Sequence, residues 1–355
     1  MTFPTFTSTQ SEPRARGKEL GTQLRRRIVA NLNGYTDLFT AAGATPAQVR
    51  AWGERALDRS AAWAPWLAEE IGGIAAGAGL EHWQVAVVNA RTEILAAADA
   101  TGEGECSTSV VLPGGGRPPR TVQTWDWHDR LRDAPVLWEL SPRPGHVVRT
   151  FTEAGALAKI GVNSAGLGVH FNMLHHDADS ADLGVPVHLI ARRILDEATT
   201  VAEAVDIARS ATVSASTVIT VVTATEAAAI EISPAGVAVV PPGPDGVLLH
   251  CNHFLDPALA AGERHATDRP STYLRQRHLQ ANVEHLTGED LTARALALLS
   301  HGPDEAPVCA HPDLTMPLNQ RWETLATIGL DLPAGRLRVH RGGPCRVTES
   351  TWQTF

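Results

Sequence analysis

The sequence predicts an α+β protein built in layers. Before residue 106 the chain has mainly helical patterns, and after it short β-prone runs follow one another with pairs of helical stretches between them. Such meanders flanked by helix pairs favour a layered α+β fold over an alternating βαβ one. With 355 residues, 43% of them hydrophobic, the chain can form one large or two ordinary domains around a packed core.

Helices in the first part of the chain are predicted from spacing and end signals. Leu20, Leu24 and Ile28 recur every four residues, so they share one face of a helix. Thr45 followed by Pro46 is a typical helix start, because Thr caps the first turn and Pro is tolerated there. Two further helices are expected over 64–78 and 81–95.

Beyond residue 105 the pattern changes to short runs rich in β-branched residues. Strands are expected over 106–112, 121–127, 147–152, 157–162, 166–173, 217–224, 227–232, 236–240, 247–251, 323–330, 336–341 and 345–350. Helices are expected over 186–198, 201–211, 270–285 and 291–299.

The first two of these strands are joined by a loop rich in Gly and Pro over 113–119, which predicts a hairpin. The hairpin places the thiol of Cys106 at the start of one strand and the carboxylate of Asp126 near the end of the other.

The run Glu105-Cys106-Ser107-Thr108-Ser109, followed by Gln123-Thr124-Trp125-Asp126-Trp127, resembles the penicillin acyltransferase family. This family consists of self-cleaving cysteine hydrolases of the N-terminal-nucleophile (Ntn) class. Other parts of the family pattern occur in order across nearly the whole chain, at 13–21, 70–80, 89–94, 161–167, 251–254, 321–325 and 343–345.

The resemblance implies the four-layer αββα sandwich of the Ntn hydrolases. It also implies that the chain cuts itself between Glu105 and Cys106. The products would be a mainly helical segment, 1–105, and a catalytic segment, 106–355, which we expect to remain together as one globular unit. The new α-amine of Cys106 would be the base, since an α-amine titrates near about 7.7–8.0 and can accept a proton at neutral pH.

The resemblance also implies roles for three other residues. Asp126 would orient the α-amine, and the side-chain amide of Asn252 would stabilise the oxyanion. Arg321 has the spacing of a family arginine near the active site, where it could pair with Asp126 or position the substrate. Arg275 and Arg277 are alternative arginines.

The expected function is hydrolysis of an amide bond of a small molecule, or transfer of its acyl group, through a Cys106 acyl-enzyme. No cofactor is expected, although acyl-CoA is a possible co-substrate. Two alternatives remain open at this point. One is an uncleaved thiol hydrolase with His128, His170 or His253 as its base, and the other is a non-catalytic binding homologue of the same fold.

Composition argues against several other classes of protein. The net charge of −9 disfavours a nucleic-acid surface, and no apolar run reaches the length of a membrane span. The first residues lack a targeting pattern, so we expect a cytoplasmic protein. The four cysteines, at 106, 251, 309 and 345, are far apart and have neither disulfide-framework nor metal-ligand spacing.

Two motifs are rejected as sites. The run Gly72–Gly77 lacks the order of a dinucleotide-binding loop and follows a helical pattern. His170, His175 and His176 with Asp177 and Asp179 are not expected to bind a metal, because adjacent histidines on a strand point to opposite faces.

Overall fold

A computed structural model of the chain describes residues 2–98, 105–264, 270–301, 305–317 and 320–355. Within these residues the helices are α1 (Pro13–Gln23), α2 (Arg25–Ala41), α3 (Pro46–Trp63), α4 (Pro65–Ala78), α5 (His82–Asn89), α6 (Arg91–Ala97), α7 (Val187–Glu197), α8 (Val201–Arg209), α9 (Ser271–Ala281), α10 (Val283–Leu286) and α11 (Leu291–Leu296). The strands are β1 (Thr5–Thr7), β2 (Glu105–Val111), β3 (Arg120–His128), β4 (Pro135–Arg143), β5 (His146–Glu153), β6 (Ile160–Asn163), β7 (Gly168–Met173), β8 (Thr217–Val222), β9 (Ala227–Ser233), β10 (Gly236–Val240), β11 (Val247–His250), β12 (Trp322–Asp331), β13 (Arg336–Arg341) and β14 (Gln353–Thr354).

The strands form two sheets that face each other. The first has eight strands in the order β1-β4-β5-β6-β7-β8-β9-β10, and the second has six in the order β11-β2-β3-β12-β13-β14. Side chains join the two inner faces: the Thr108 hydroxyl donates to Asn172 Oδ1 at 2.7 Å, and Gln123 Nε2 donates to the Phe171 carbonyl at 2.6 Å. The main hydrophobic core lies in this interface and extends beneath the N-terminal helices.

Helices cover the outer face of each sheet. α7 and α8 pack on the eight-stranded sheet, while α9 and α11 pack on β11, β2 and β3 of the six-stranded sheet over a smaller apolar cluster around Val122, Cys251 and Leu279. The order of layers is therefore helix, sheet, sheet, helix. This confirms the expected α+β class and its four-layer arrangement.

The first part of the chain is helical as expected, and it also contributes one strand. Thr45 caps α3 through a reciprocal capping box with Gln48, and Pro46 occupies its first turn, as predicted. The expected helix over 81–95 is divided into α5 and α6 at Ala90. Residues Thr5–Thr7 form β1 and pair in parallel with β4, an interaction between distant segments that local sequence does not indicate.

Two strand predictions were wrong. β4 was missed because Pro135 begins it and Pro142 lies near its end, and both residues disfavour a strand in a local reading. The strand expected over 345–350 is instead a pair of short 3-10 turns, Pro344–Arg346 and Glu349–Thr351, and the last strand is β14. The Thr348 N–H donates to the Thr351 hydroxyl at 2.9 Å, a local hydrogen bond that competes with strand pairing.

The glycine-rich segments of α1 and α4 allow these two helices to touch backbone to backbone. A side chain at Gly73 or Gly77 of α4 would overlap the backbone of α1, and one at Gly17 or Gly21 of α1 would overlap that of α4. This contact places Glu70 of α4 beside Arg16 at 2.6 Å. Glycine at positions 73 and 77 is therefore a packing requirement, which accounts for these residues of the Gly run.

No helix among the described residues combines the length and the apolar character needed to span a membrane.

We expect Gly73→Ala to lower the midpoint of thermal unfolding, because its methyl group would overlap the carbonyl oxygen of Arg14 and push α1 from α4 at a cost of about 1–3 kcal/mol. The matched control is Gly72→Ala on the same helix, whose methyl group would meet only the His82 ring, at 3.3 Å from Cε1. That control should be nearly neutral, since the close contact with the His82 ring offsets the gain of about 1 kcal/mol that Ala has over Gly in a helix. Equal midpoints for the two variants would contradict the close helix contact.

Candidate active site

Cys106 is the second residue of β2, and its backbone is held on both sides. Its N–H donates to Asn252 Oδ1 at 2.8 Å, and its carbonyl accepts from Arg275 Nη1 at 2.7 Å. The residue is only 3% exposed and faces Trp125 across the β2–β3 hairpin. The hairpin prediction is confirmed, and it puts the thiol on the inner face of the six-stranded sheet.

The orientation of the Asn252 amide follows from its neighbours. Besides the Cys106 N–H, Oδ1 faces Nη1 and Nη2 of Arg275, each at 3.0 Å, and all three groups are donors. The atom that they share must therefore be the oxygen. Asn252 Nδ2 donates to the Met173 carbonyl at 2.8 Å. With the chain intact, Asn252 thus presents its acceptor to the Cys106 nitrogen, whereas its expected role as an oxyanion donor would use Nδ2.

Asp126 lies on β3 directly opposite Glu105, the residue before Cys106. Asp126 Oδ1 accepts from the Thr324 hydroxyl at 2.6 Å, and Oδ2 is a buried atom without a hydrogen-bond partner among the described residues. Burial raises the pKa of Asp126 well above its ordinary value, the Thr324 hydrogen bond opposes this, and the charge of Glu105 adds to it. This environment favours a protonated carboxyl group.

Glu105 is held by the helix that covers the sheet. Its Oε1 accepts from the Ser271 hydroxyl at 2.5 Å, and its Oε2 lies 3.6 Å from Arg275 Nε. Arg275 therefore contacts both residues of the bond between Glu105 and Cys106. Side chains of α9 thus contact the residue before this bond and the residue after it.

The structure places Arg321 differently from Arg275. Its guanidinium donates to the carbonyls of Met316 and Leu314, at 2.8 and 3.0 Å. It lies three residues from Thr324, the partner of Asp126, or roughly 10 Å along the strand direction. Among the described contacts none joins Arg321 to Asp126 or Cys106, and Arg275 is the arginine at the candidate nucleophile.

A sequence signal could have favoured Arg275. Thr272, Arg275 and Leu279 follow the i, i+3, i+7 spacing of one buried helix face, and all three are fully buried in α9. An arginine within an apolar stripe needs a buried acceptor. Arg277 lies on a different face and is not one of the buried residues of α9.

Lys159 is a site residue that the sequence reasoning missed. It lies just before β6, fully buried, with Nζ 2.8 Å from Glu153 Oε2 and 3.4 Å from the centre of the Trp125 ring. Glu153 also pairs with Arg91 at 2.6 Å. A signal existed in the composition, because the chain has only two lysines, Lys18 and Lys159, among 30 basic residues.

Lys159 and the thiol interact electrostatically. Burial lowers the pKa of Lys159 to about 7, with Arg91 adding to this and Glu153 and Cys106 opposing it. Burial also raises the pKa of the Cys106 thiol to about 12, as does the charge of Asp126, while Lys159, Arg275 and the backbone N–H of Asp126 act in the opposite direction. The intact chain therefore holds the thiol neutral, next to groups that favour the thiolate.

The three histidines considered as alternative bases are engaged elsewhere. His170 Nδ1 bonds Gln123 Oε1 at 2.9 Å, and burial lowers the pKa of His170 to about 3. His253 Nδ1 bonds the Thr272 hydroxyl at 2.8 Å. The ring of His128 lies against Trp322, with centres 3.9 Å apart.

A cavity of about 590 Å³ opens beside the site. Its lining includes Glu105, Asp126, Ser271, His301, Cys309, His311 and Trp322. A volume of this size accommodates a small molecule. The cavity reaches the Glu105–Asp126 side of the hairpin, so a ligand there would approach the bond before Cys106.

The sequence model of the family described as acyl-coenzyme A:6-aminopenicillanic acid acyl-transferase matches residues 114–345, a range that includes Asp126, Lys159, Asn252 and Arg275 and begins after Cys106. The acyl-coenzyme A:6-aminopenicillanic-acid-acyltransferase 40 kDa form of Emericella nidulans is 30% identical over 292 residues, which cover 81% of this chain and 78% of that protein.

Among solved structures, penicillin V acylase from Agrobacterium tumefaciens matches with a TM-score of 0.45 and 15% identity, over 66% of this chain and 83% of that one. The family match and the Emericella relative each extend over well more than half of the chain. They confirm the resemblance found in the sequence, and the chain belongs to the acyl-coenzyme A:6-aminopenicillanic acid acyltransferase family.

Proposed function

We propose that this protein cuts itself between Glu105 and Cys106 and then transfers acyl groups of small-molecule amides through a Cys106 acyl-enzyme. The proposal rests on the hydrogen bonds that position the Cys106 nitrogen. Asn252 Oδ1 accepts the Cys106 N–H, and Arg275 donates to both Asn252 Oδ1 and the Cys106 carbonyl. A nitrogen held in this way is positioned first as the leaving group of self-cleavage and later as a catalytic amine.

In self-cleavage, the Cys106 sulfur attacks the Glu105 carbonyl carbon and loses its proton. The C–N bond then breaks, and the Cys106 nitrogen takes up a proton to become an amine. Water opens the resulting thioester, giving the Glu105 carboxylate and the free thiol. Asn252 keeps the nitrogen in line throughout, and the positive charges of Lys159 and Arg275 favour the thiolate that attacks.

In the mature enzyme, the α-amine of Cys106 takes the thiol proton as the sulfur attacks a substrate carbonyl, and it returns a proton to the departing amine. Water releases the acyl group as an acid, whereas a second amine receives it in acyl transfer. The unpartnered Oδ2 of Asp126 is a suitable acceptor for the new α-ammonium. The second proton of Asn252 Nδ2 is available to an oxyanion.

The relative's name supports an acyl-CoA thioester as acyl donor, because thioester and amide donors form the same acyl-cysteine. No further cofactor is required by this chemistry. We also propose that the segments 1–105 and 106–355 remain associated, since the core between the sheets is continuous with the side chains of α2, α4 and α5. A cytoplasmic location would suit a free catalytic thiol.

We expect intact-mass analysis of freshly purified protein to find two fragments, 1–105 and 106–355, and to find Cys106→Ala as one chain, because the attacking sulfur is gone. Cys251→Ala, which removes another buried thiol, is the control and should be cleaved. An intact wild-type chain would exclude self-cleavage and favour the uncleaved hydrolase or the binding homologue.

Arg275→Met should slow self-cleavage by on the order of 10²-fold, because the three charge-assisted hydrogen bonds that fix Cys106 and Asn252 are lost. Arg321→Met is the matched control and should be cleaved at nearly the wild-type rate. The time course is followed by mass spectrometry of protein made in a cell-free system, with thermal midpoints to identify variants that fail to fold. A slow Arg321 variant beside a fast Arg275 variant would reverse the assignment.

Lys159→Met should raise the pKa of the Cys106 thiol, since a nearby positive charge that stabilises the thiolate is removed. One unit of increase leaves about tenfold less thiolate at neutral pH. Self-cleavage should therefore be slower by on the order of tenfold at and below pH 7, and the difference from wild type should shrink at higher pH, where Lys159 itself is neutral. Lys18→Met, the other lysine and an exposed one, is the control. A purely structural role for Lys159 would change stability and leave the pH profile in place.

A further inference from the structure

Four sulfur and imidazole side chains lie close together beside the cavity, and three of them line it. They belong to His301, Cys309, His311 and Cys345, and we refer to them as the mouth cluster. The ligand atoms of His301, His311 and Cys345 all lie within 4.8 Å of one another. Cys309, buried beneath them, places its sulfur 3.8 Å from His311 Nε2.

The distances from His311 to the two sulfur atoms agree with those of a tetrahedral zinc site. Zinc binds sulfur at about 2.3 Å and imidazole nitrogen at about 2.0–2.1 Å, so a tetrahedral N···S edge is about 3.6 Å. His311 Nε2 lies 3.5 Å from the sulfur of Cys345 and 3.8 Å from that of Cys309. The rings of His301 and His311 meet edge to face, with centres 5.1 Å apart.

The backbone around the cluster leaves room for the sulfur atoms and fixes their loops. A Cβ atom on Gly343 would lie 2.5 Å from the Cys309 sulfur, so glycine is needed where the turn carrying Cys345 approaches. The Ala310 N–H donates to the Thr324 hydroxyl at 2.8 Å, and this hydroxyl donates to Asp126. Cys309 and His311 of the mouth cluster therefore flank Ala310, which bonds the same Thr324 hydroxyl that holds Asp126.

We propose that the mouth cluster binds one zinc ion through His301, His311 and Cys345, with the sulfur of Cys309 as the fourth ligand. Two thiolates and two imidazoles are a preferred donor set for zinc. The ion would tie the loop bearing Cys309 and His311 to the turn bearing Cys345, and so fix one wall of the cavity. This inference does not depend on the proposed catalytic function.

The competing use of the same residues is a Cys309–Cys345 disulfide, in which both thiols are oxidised and two ligands are lost. The experiment must therefore determine metal content and thiol state together. Untagged protein is purified under reducing conditions, supplied with one equivalent of zinc and dialysed against metal-free buffer. Zinc is measured by inductively coupled plasma mass spectrometry, and free thiols by alkylation and intact mass.

We expect one zinc ion per wild-type chain and a lower thermal midpoint after chelation. Cys345→Ser and His311→Ala should each weaken zinc binding by more than about a hundredfold. His285→Ala, an exposed histidine outside the cluster, should retain the ion. Cobalt in place of zinc should give thiolate-to-metal charge-transfer absorption that falls in Cys309→Ser and again when Cys345→Ser is added.

Three results would overturn the proposal. One is wild-type protein that keeps no zinc although both thiols are free. Another is equal zinc content in wild type and in folded His311→Ala. The third is a disulfide between Cys309 and Cys345 that persists in the purified protein under reducing conditions.

Discussion

The arrangement of the site depends on one oxygen atom, Oδ1 of Asn252. It accepts three N–H groups, one from the Cys106 backbone and two from Arg275. Because the acceptor and all three donors are buried, loss of any partner would leave a polar group without compensation. This shared acceptor joins three separate elements: the start of β2, the loop after β11, and α9.

The fold explains why these elements meet. β2 lies between β11 and β3 in the six-stranded sheet, so the loop after β11 returns beside the first residues of β2. α9 crosses the outer face of the same strands and presents Arg275 from its buried side. On the inner face, Trp125 lies opposite Cys106 in the hairpin, and Nζ of Lys159 lies 3.4 Å from the centre of the Trp125 ring and 2.8 Å from Glu153. The candidate nucleophile thus has buried charged side chains on both sides of its sheet.

The sequence predicted the parts of this arrangement that depend on local pattern. The β2–β3 hairpin, the capped start of α3 and the four-layer class follow from strand propensity, end signals and a motif that extends along the chain. Arg275 was predicted only as an alternative to Arg321, and Lys159 was not predicted, because their importance comes from burial against residues more than 100 positions away or across a sheet. The mouth cluster was missed for the same reason, since its side chains at 301, 309, 311 and 345 come together only through the turn after β13.

Two carboxyl groups face each other at the bond before Cys106, and cleavage of this bond would relieve the repulsion between them. Glu105 and Asp126 face each other across the hairpin, and the charge of Glu105 helps to raise the pKa of Asp126. Like charges directly opposite each other destabilise a strand pair, and here Arg275 and Ser271 offset the repulsion by holding Glu105. Self-cleavage would create an α-ammonium beside Asp126 and release Glu105 from the strand. Asp126 faces the negative charge of Glu105 in the intact chain and would face the positive α-ammonium of Cys106 after cleavage. The pKa of Asp126 would therefore fall. Asp126 would then be a neutral group before the proposed cleavage and the charged partner of the α-amine after it, so cleavage itself would prepare the proposed mature site.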